Sequence, residues 1–326
     1  MAFFSRRTPP DCGETGQPVV YYILSKCKRR FIARRTAFSA SAARCTEVFS
    51  LEFYQEVERA LTKEYRKKIW RPFLSALKDY RLVNDGDRIA VCISGGKDSM
   101  LLAKCMQELK RHSPTDFSLK FLVMDPGYAP ANRQRIIDNA ALLNIPIEIF
   151  ETDIFDAVVE MGGSPCYMCA KMRRGYLYRE AQRRGCNKIA LGHHFDDVIE
   201  TVLMSMLYGA QIQSMMPKLH SDNVPGMQLI RPLYKVHEEE IIRWRDDNGL
   251  SFLQCACKFT EERQVFSDGS SNSKRQEMKE LLRTLKKLNP TVDRNIFHSV
   301  HNVSLDTMIR WKFDGQETSF LDLYKD

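Results

Sequence analysis

Residues Arg88–Lys104 read RIAVCISGGKDSMLLAK, and this stretch decides the fold. Arg88–Ile93 is an apolar run of strand length. Ser94-Gly95-Gly96-Lys97-Asp98-Ser99 is a tight turn, and Met100 onward is a helix, with Asp98 or Ser99 expected as its cap. Two glycines let backbone approach an anion closely, the helix start offers unpaired N–H groups and the positive end of its dipole, and Lys97 adds a full charge. The turn is therefore a phosphate cradle. Its spacing is neither that of a Walker A loop nor Gly-x-Gly-x-x-Gly. A plain connecting turn has no need of Ser, Lys, Asp and Ser gathered around the glycines.

Downstream, Leu119–Met124 reads as a strand, Ala131–Leu143 as a helix and Ile147–Phe150 as a strand. Asn187–Leu191 and Gln228–Leu233 are further strands, Val198–Tyr208 and Glu238–Asn248 further helices. Strand–helix units of this length imply a doubly wound parallel α/β sheet with ligands beyond the carboxyl ends of its strands. Asp125-Pro126-Gly127 closes the second strand on that edge, and Gly192-His193-His194-Phe195-Asp196-Asp197 follows a later one. Asp196 or Asp197 is expected to cap the helix after it, with Glu200 in its first turn. Two histidines and two acids there could be a metal site; on the same edge as the 94–99 loop they read better as positioning ATP and its Mg²⁺ than as a plain N-cap.

Upstream, apolar residues from Phe53 to Leu77 recur at three- and four-residue steps, which predicts one long or two shorter amphipathic helices. Lys63, Arg66, Lys67, Lys68 and Arg71 form a basic stripe on the other faces. Residues 1–50 are rich in Arg, Ser and Ala without sustained periodicity. They are read as an extension without packed structure in preference to an organellar transit segment, so the expected location is the cytoplasm.

The formal charge of +8 over 326 residues suggests a nucleic-acid binder until it is divided. Residues 1–50 carry nine Lys or Arg against three Asp or Glu, a net +6, which leaves only +2 for the rest. RNA contact must then come from a local patch. The apolar run Val19–Leu24 is far too short to cross a bilayer, and no membrane partner is expected. Ten cysteines without a secretory signal point to reduced thiols and a metal site. Cys166 and Cys169 form a C-x-x-C pair at a helix start, ambiguous alone between a redox dithiol, half a zinc site and part of an iron–sulfur site. Cys255 and Cys257 supply a second cluster. Three or four thiolates drawn from two segments suit a bound metal centre. Cys92, Cys105 and Cys186 are isolated and read as buried.

SGGKDS behind a strand resembles the pyrophosphate loop of the PP-loop ATP pyrophosphatases, which split ATP between the α and β phosphates. The ordered set of SGGKDS, C-x-x-C followed by Arg173-Arg174, GHHFDD and a later cysteine cluster resembles the tRNA 2-thiocytidine synthetase family over about residues 55–260. That resemblance implies a PP-loop domain over 85–260 of the adenine nucleotide alpha hydrolase kind. A helical segment over 51–84 precedes it, and a loop with a helical tail over 261–326 follows. ATP and Mg²⁺ would be held by Ser94, Gly95, Gly96, Lys97, Asp98, Ser99, Asp125, Gly192, His193 and Asp196. Lys97, Arg173 (or Arg174) and Asp197 would serve the chemistry. Cys166, Cys169 and Cys255 would hold a 4Fe–4S cluster. The family's third cysteine comes from a second C-x-x-C, whereas this chain has C-x-C, which leaves Cys257 as the other choice.

The implied reaction adenylates O2 of a tRNA cytidine at position 32 and replaces it with sulfur from a donor such as a cysteine desulfurase; a homodimer is left open. Two other functions compete. A tRNA lysidine synthetase adenylates the same kind of atom but has no need of clustered thiols. A non-catalytic ATP-binding protein with structural zinc would use all four cysteines.

Overall fold

The computed structural model describes residues 52–152, 154, 165–253 and 274–324. The expectations for residues 1–50, for Cys255 and Cys257 and for the loop over 261–273 fall outside them. The chain opens with α1 (Phe53–Thr62), a π-helical turn at Arg66–Trp70, and α2 (Arg71–Asp79). The predicted amphipathic stretch is thus two helices. Their apolar stripe, Val57, Leu61, Tyr65, Ile69 and Phe73, enters the main core.

Then come β1 (Asp87–Ile93), α3 (Lys97–His112), β2 (Phe117–Asp125), α4 (Pro130–Leu142), β3 (Ile147–Glu151), α5 (Pro165–Arg183), β4 (Lys188–Ala190) and α6 (Phe195–Gly209). After them lie β5 (Lys218–His220), β6 (Gln228–Ile230), α7 (Glu238–Asp247), α8 (Lys274–Leu288) and α9 (Val292–Ser299). The sheet order is β3-β2-β1-β4-β6-β5, parallel except for β5, which runs antiparallel to β6. On β1, Ile89, Val91 and Ile93 join the core with α1 to α4, while Ala90 and Cys92 face Tyr178 and Ala181 of α5. Side chains alternate across a strand, so both faces of the sheet are covered. Cys92, Cys105 and Cys186 are buried as read, and burial pushes the Cys92 thiol up to about 12.

Four local expectations are corrected. Helix α3 begins at Lys97, and its cap is Gly96 in extended backbone. Neither Asp98 nor Ser99 caps it, because the Ser99 hydroxyl accepts the Ser94 N–H at 3.1 Å and donates to the Gly96 carbonyl at 2.9 Å. Helix α6 begins at Phe195 with His194 as cap, so Asp196 and Asp197 lie inside its first turn. The strand read over Gln228–Leu233 stops at Ile230, and its antiparallel edge partner β5 was not foreseen. The tail is not wholly helical: β7 (Arg310–Phe313) and β8 (Gln316–Ser319) pair as a hairpin. Asp314 and Gly315 turn it, both at positive φ, as an Asp-Gly turn of the primed type requires.

One buried ion pair ties the sheet to its entry loop. Lys188 on β4 is 2% exposed and donates to Asp87 at 2.5 Å and to the Leu82 carbonyl at 3.0 Å. Burial pushes the Lys188 ammonium below its ordinary value, and Asp87 opposes that. Lys188→Met would leave Asp87 buried without its counter-ion, a loss of about 3–5 kcal/mol. Urea unfolding should show it, with most of the loss recovered in Lys188→Met/Asp87→Leu; an unmoved midpoint would exclude this role.

Candidate active site

The phosphate loop sits between β1 and α3. Met100 N–H is the first to close onto the helix, bonding the Gly96 carbonyl at 3.2 Å. The N–H groups of Lys97, Asp98 and Ser99 come earlier, so none has an acceptor within the helix. Gly95 has φ +82°, and a Cβ there would lie 2.7 Å from Ile136 Cγ1 of α4. Only glycine lets the loop fold this tightly.

Strand order reverses at β1, whose neighbours are β2 on one side and β4 on the other. The loops leaving β1 and β4 therefore flank a topological switch point, where open α/β sheets bind ligands. Contact between them is direct: a Cβ on Gly192 would meet Asp98 C and Ser99 N, both at 3.0 Å. Gly192 is thus needed for the β4 loop to lie against the first turn of α3.

His194, 4% exposed, stands between the two loops, its Nε2 3.8 Å from Asp98 and 3.5 Å from Asp197. Among the described residues His193 Nδ1 is buried without a hydrogen-bond partner, and burial pushes its imidazole down to about 4. It is neutral at physiological pH.

The acids are already engaged. Asp197 accepts the His194 N–H at 3.0 Å and pairs with Arg275 of α8. Burial would raise Asp197, but His194 and Arg275 hold it below the usual carboxylate range. Asp196 accepts the N–H of Glu238 at 2.7 Å, which anchors the start of α7. Asp125 takes the N–H groups of Gly127 and Tyr128 at 2.9 and 2.7 Å and faces Arg133 at 3.3 Å. Among the described residues no group of three or more His, Cys, Asp or Glu is placed to hold a metal ion. Asp196 and Asp197 thus both keep protein partners where the β4 loop meets α7 and α8.

Lys97 reaches Asp98 at 3.2 Å and Glu238 at 3.0 Å. Glu238, Lys279 and Arg275 escaped the sequence reading. Glu238 is one of three consecutive glutamates, and nothing in the pattern separates it from its neighbours.

Helix α5 crosses from β3 to β4. Its far end leads through Cys186 and Asn187, whose N–H bonds the Arg88 carbonyl, to the amino ends of β1 and β4. Its first turn, with Cys166 and Cys169 three residues apart, therefore lies toward the carboxyl edge shared with the phosphate loop. Further along it, Arg173 Nε is buried without a hydrogen-bond partner among the described residues. Neither Arg173 nor Arg174 forms an ion pair among the described residues. On the opposite flank, Leu253 donates its N–H to the Gly95 carbonyl at 3.2 Å.

The PP-loop domain family matches residues 61–258. A tRNA-cytidine(32) 2-sulfurtransferase of Geobacter sulfurreducens is 36% identical over 240 residues, 73% of this chain and 90% of that one. Its namesake in Coxiella burnetii is 37% identical over 247 residues, 74% and 91% of the two chains. The chain belongs to this PP-loop family. Among solved structures, the U34-tRNA thiolase NcsA from Methanococcus maripaludis, described with its [4Fe-4S] cluster, aligns with TM-score 0.53 and 21% identity. That alignment covers 77% of this chain and 80% of the thiolase, and it supports the shared fold. Family membership agrees with a loop built for pyrophosphate. No helix among the described residues is long and apolar enough to cross a membrane.

Proposed function

We propose that the chain is an ATP-dependent tRNA sulfurtransferase that activates O2 of cytidine 32 as its adenylate and replaces that oxygen with sulfur. The observation that carries this reading is the bond from Leu253 N–H to the Gly95 carbonyl at 3.2 Å. It fixes the last described residue before the Cys255–Cys257 pair against the phosphate loop. A lysidine-type ligase has no need of clustered thiols.

The loop N–H groups and Lys97 would take the β and γ phosphates, balancing charge as pyrophosphate leaves. Cytidine O2 attacks the α phosphorus, the bond from that phosphorus to the α–β bridging oxygen breaks, and pyrophosphate leaves. A sulfur nucleophile then attacks C2, and AMP departs with the original oxygen. Cys166, Cys169 and Cys255 would hold a 4Fe–4S cluster, which would supply the sulfur-transfer chemistry. Arg173, whose buried Nε has no hydrogen-bond partner among the described residues, suits an anion such as the RNA or AMP phosphate. Lys63, Arg66, Lys67 and Arg71, all exposed, offer RNA a basic wall. A cysteine desulfurase in the cytoplasm would supply the sulfur.

Mass analysis of tRNA nucleosides tests the assignment. Deleting the gene should remove 2-thiocytidine and re-expression should restore it. Unchanged 2-thiocytidine in the deletion strain would refute the reading.

A further inference from the structure

Lys97 donates to two carboxylates at once: Asp98 beside it on α3, at 3.2 Å, and Glu238 at the start of α7, at 3.0 Å. An ammonium has three N–H donors, so two fix its direction and one is left for a ligand. Glu238 is itself held from two sides. Its second carboxylate oxygen accepts from Lys279 of α8 at 2.9 Å, and its backbone N–H is taken by Asp196 of the β4 loop at 2.7 Å. The carboxylate is 22% exposed and the Lys97 side chain 18%, so solvent screens the pair only in part.

We propose that Glu238 is a positioning residue for the phosphate-binding lysine, holding the Lys97 ammonium charged and aimed at the loop; this rests on the reading that ATP occupies that loop. The closest chemical parallel is the lysine–glutamate pair that must be in place for protein kinases to align ATP phosphates. The same arrangement links α8 to the nucleotide site, since Lys279 completes the row Lys97–Glu238–Lys279. The cavity of about 100 Å³ behind it, lined by Glu200, Glu238, Lys279 and Asp293 among others, is too small for a nucleotide. Glu238 therefore acts on ATP through Lys97 and not as part of a second nucleotide pocket.

Charge around Lys97 also sets the pH range of binding. Burial alone would push its ammonium down, and Asp98 and Glu238 outweigh burial to hold it above the ordinary lysine value. Around the pair stand Lys279 beyond Glu238, Glu200 against Lys279, Asp196 on the Glu238 N–H and His194 beside Asp98. Without Glu238, only Asp98 opposes burial, and the ammonium loses its proton at lower pH. The sign is fixed: binding that needs Lys97 charged is retained at neutral pH and lost on the alkaline side.

The test is calorimetric binding of ATP to the full chain, without tRNA, at about pH 7.5 and about pH 10. Glu238→Gln keeps the shape and removes the charge. It should weaken ATP about tenfold at the lower pH, the worth of one charge-assisted hydrogen bond, and by a clearly larger factor at the higher pH. Glu238→Asp should recover part of the loss, and exposed Glu239→Gln should bind as wild type. Lys97→Met separates the two levels of the claim. If it binds ATP normally, the loop reading fails. If it loses ATP while Glu238→Gln binds as wild type, or is weakened by one factor at both pH values, the positioning role is overturned.

Discussion

Cys166→Ala is expected to abolish sulfur insertion while ATP binding stays within about twofold of wild type. Thiolation should fall by about three orders of magnitude, which corresponds to ~4 kcal/mol of transition-state stabilisation. The two activities separate because they rest on different segments. The phosphate loop is built by β1, α3, Ile136 of α4 and the Gly192 contact, while Cys166 lies in the first turn of α5. That helix packs through Leu177, Tyr178 and Ala181, remote in sequence from the cysteines, so the fold does not depend on the thiol. Visible absorption of anaerobically purified protein is the second readout. Wild type should be coloured and the variant bleached. A wild-type protein that is colourless with one tightly bound zinc would sink the cluster assignment, and an ATP-binding defect in Cys166→Ala would make the cysteine structural.

The strand–loop–helix at 88–104 was legible because its cues are local: an apolar run, two glycines and a lysine within six residues. The same local reasoning misplaced the helix caps. Asp98, Ser99, Asp196 and Asp197 are all good capping types, yet each has a competing partner. Asp98 faces Lys97, Ser99 closes the loop on Ser94, Asp196 anchors Glu238, and Asp197 pairs with Arg275. Propensity cannot see partners that lie 42 or 78 residues away. Glu238 and Lys279 were invisible for the same reason, since their role exists only once α7 and α8 are packed at the sheet edge. The hairpin at 310–319 was a different kind of miss. Its Asp314-Gly315 signal is local and readable, and the apolar residues around it drew a helical reading instead.

Gly95→Ala should destabilise the protein by about 2–5 kcal/mol and weaken ATP binding by more than tenfold. Two separable costs combine. A side chain at φ +82° carries about 1–2 kcal/mol of backbone strain. A methyl group 2.7 Å from Ile136 Cγ1 and 3.1 Å from Leu253 Cδ1 adds about 1–3 kcal/mol of overpacking. The ATP penalty follows from geometry, because relieving that clash moves the loop whose N–H groups face the phosphates. It also strains the Gly95 carbonyl bond to Leu253. Ile136→Ala combined with Gly95→Ala distinguishes the two costs. Ile136→Ala alone is destabilising by cavity formation, so the pair should be less harmful than the sum of its members. Chemical unfolding measures the stability cycle and ATP titration the functional one. Strict additivity in both would mean that Ile136 does not confine the loop, and a Gly95→Ala protein with normal ATP affinity would mean that the phosphates lie elsewhere.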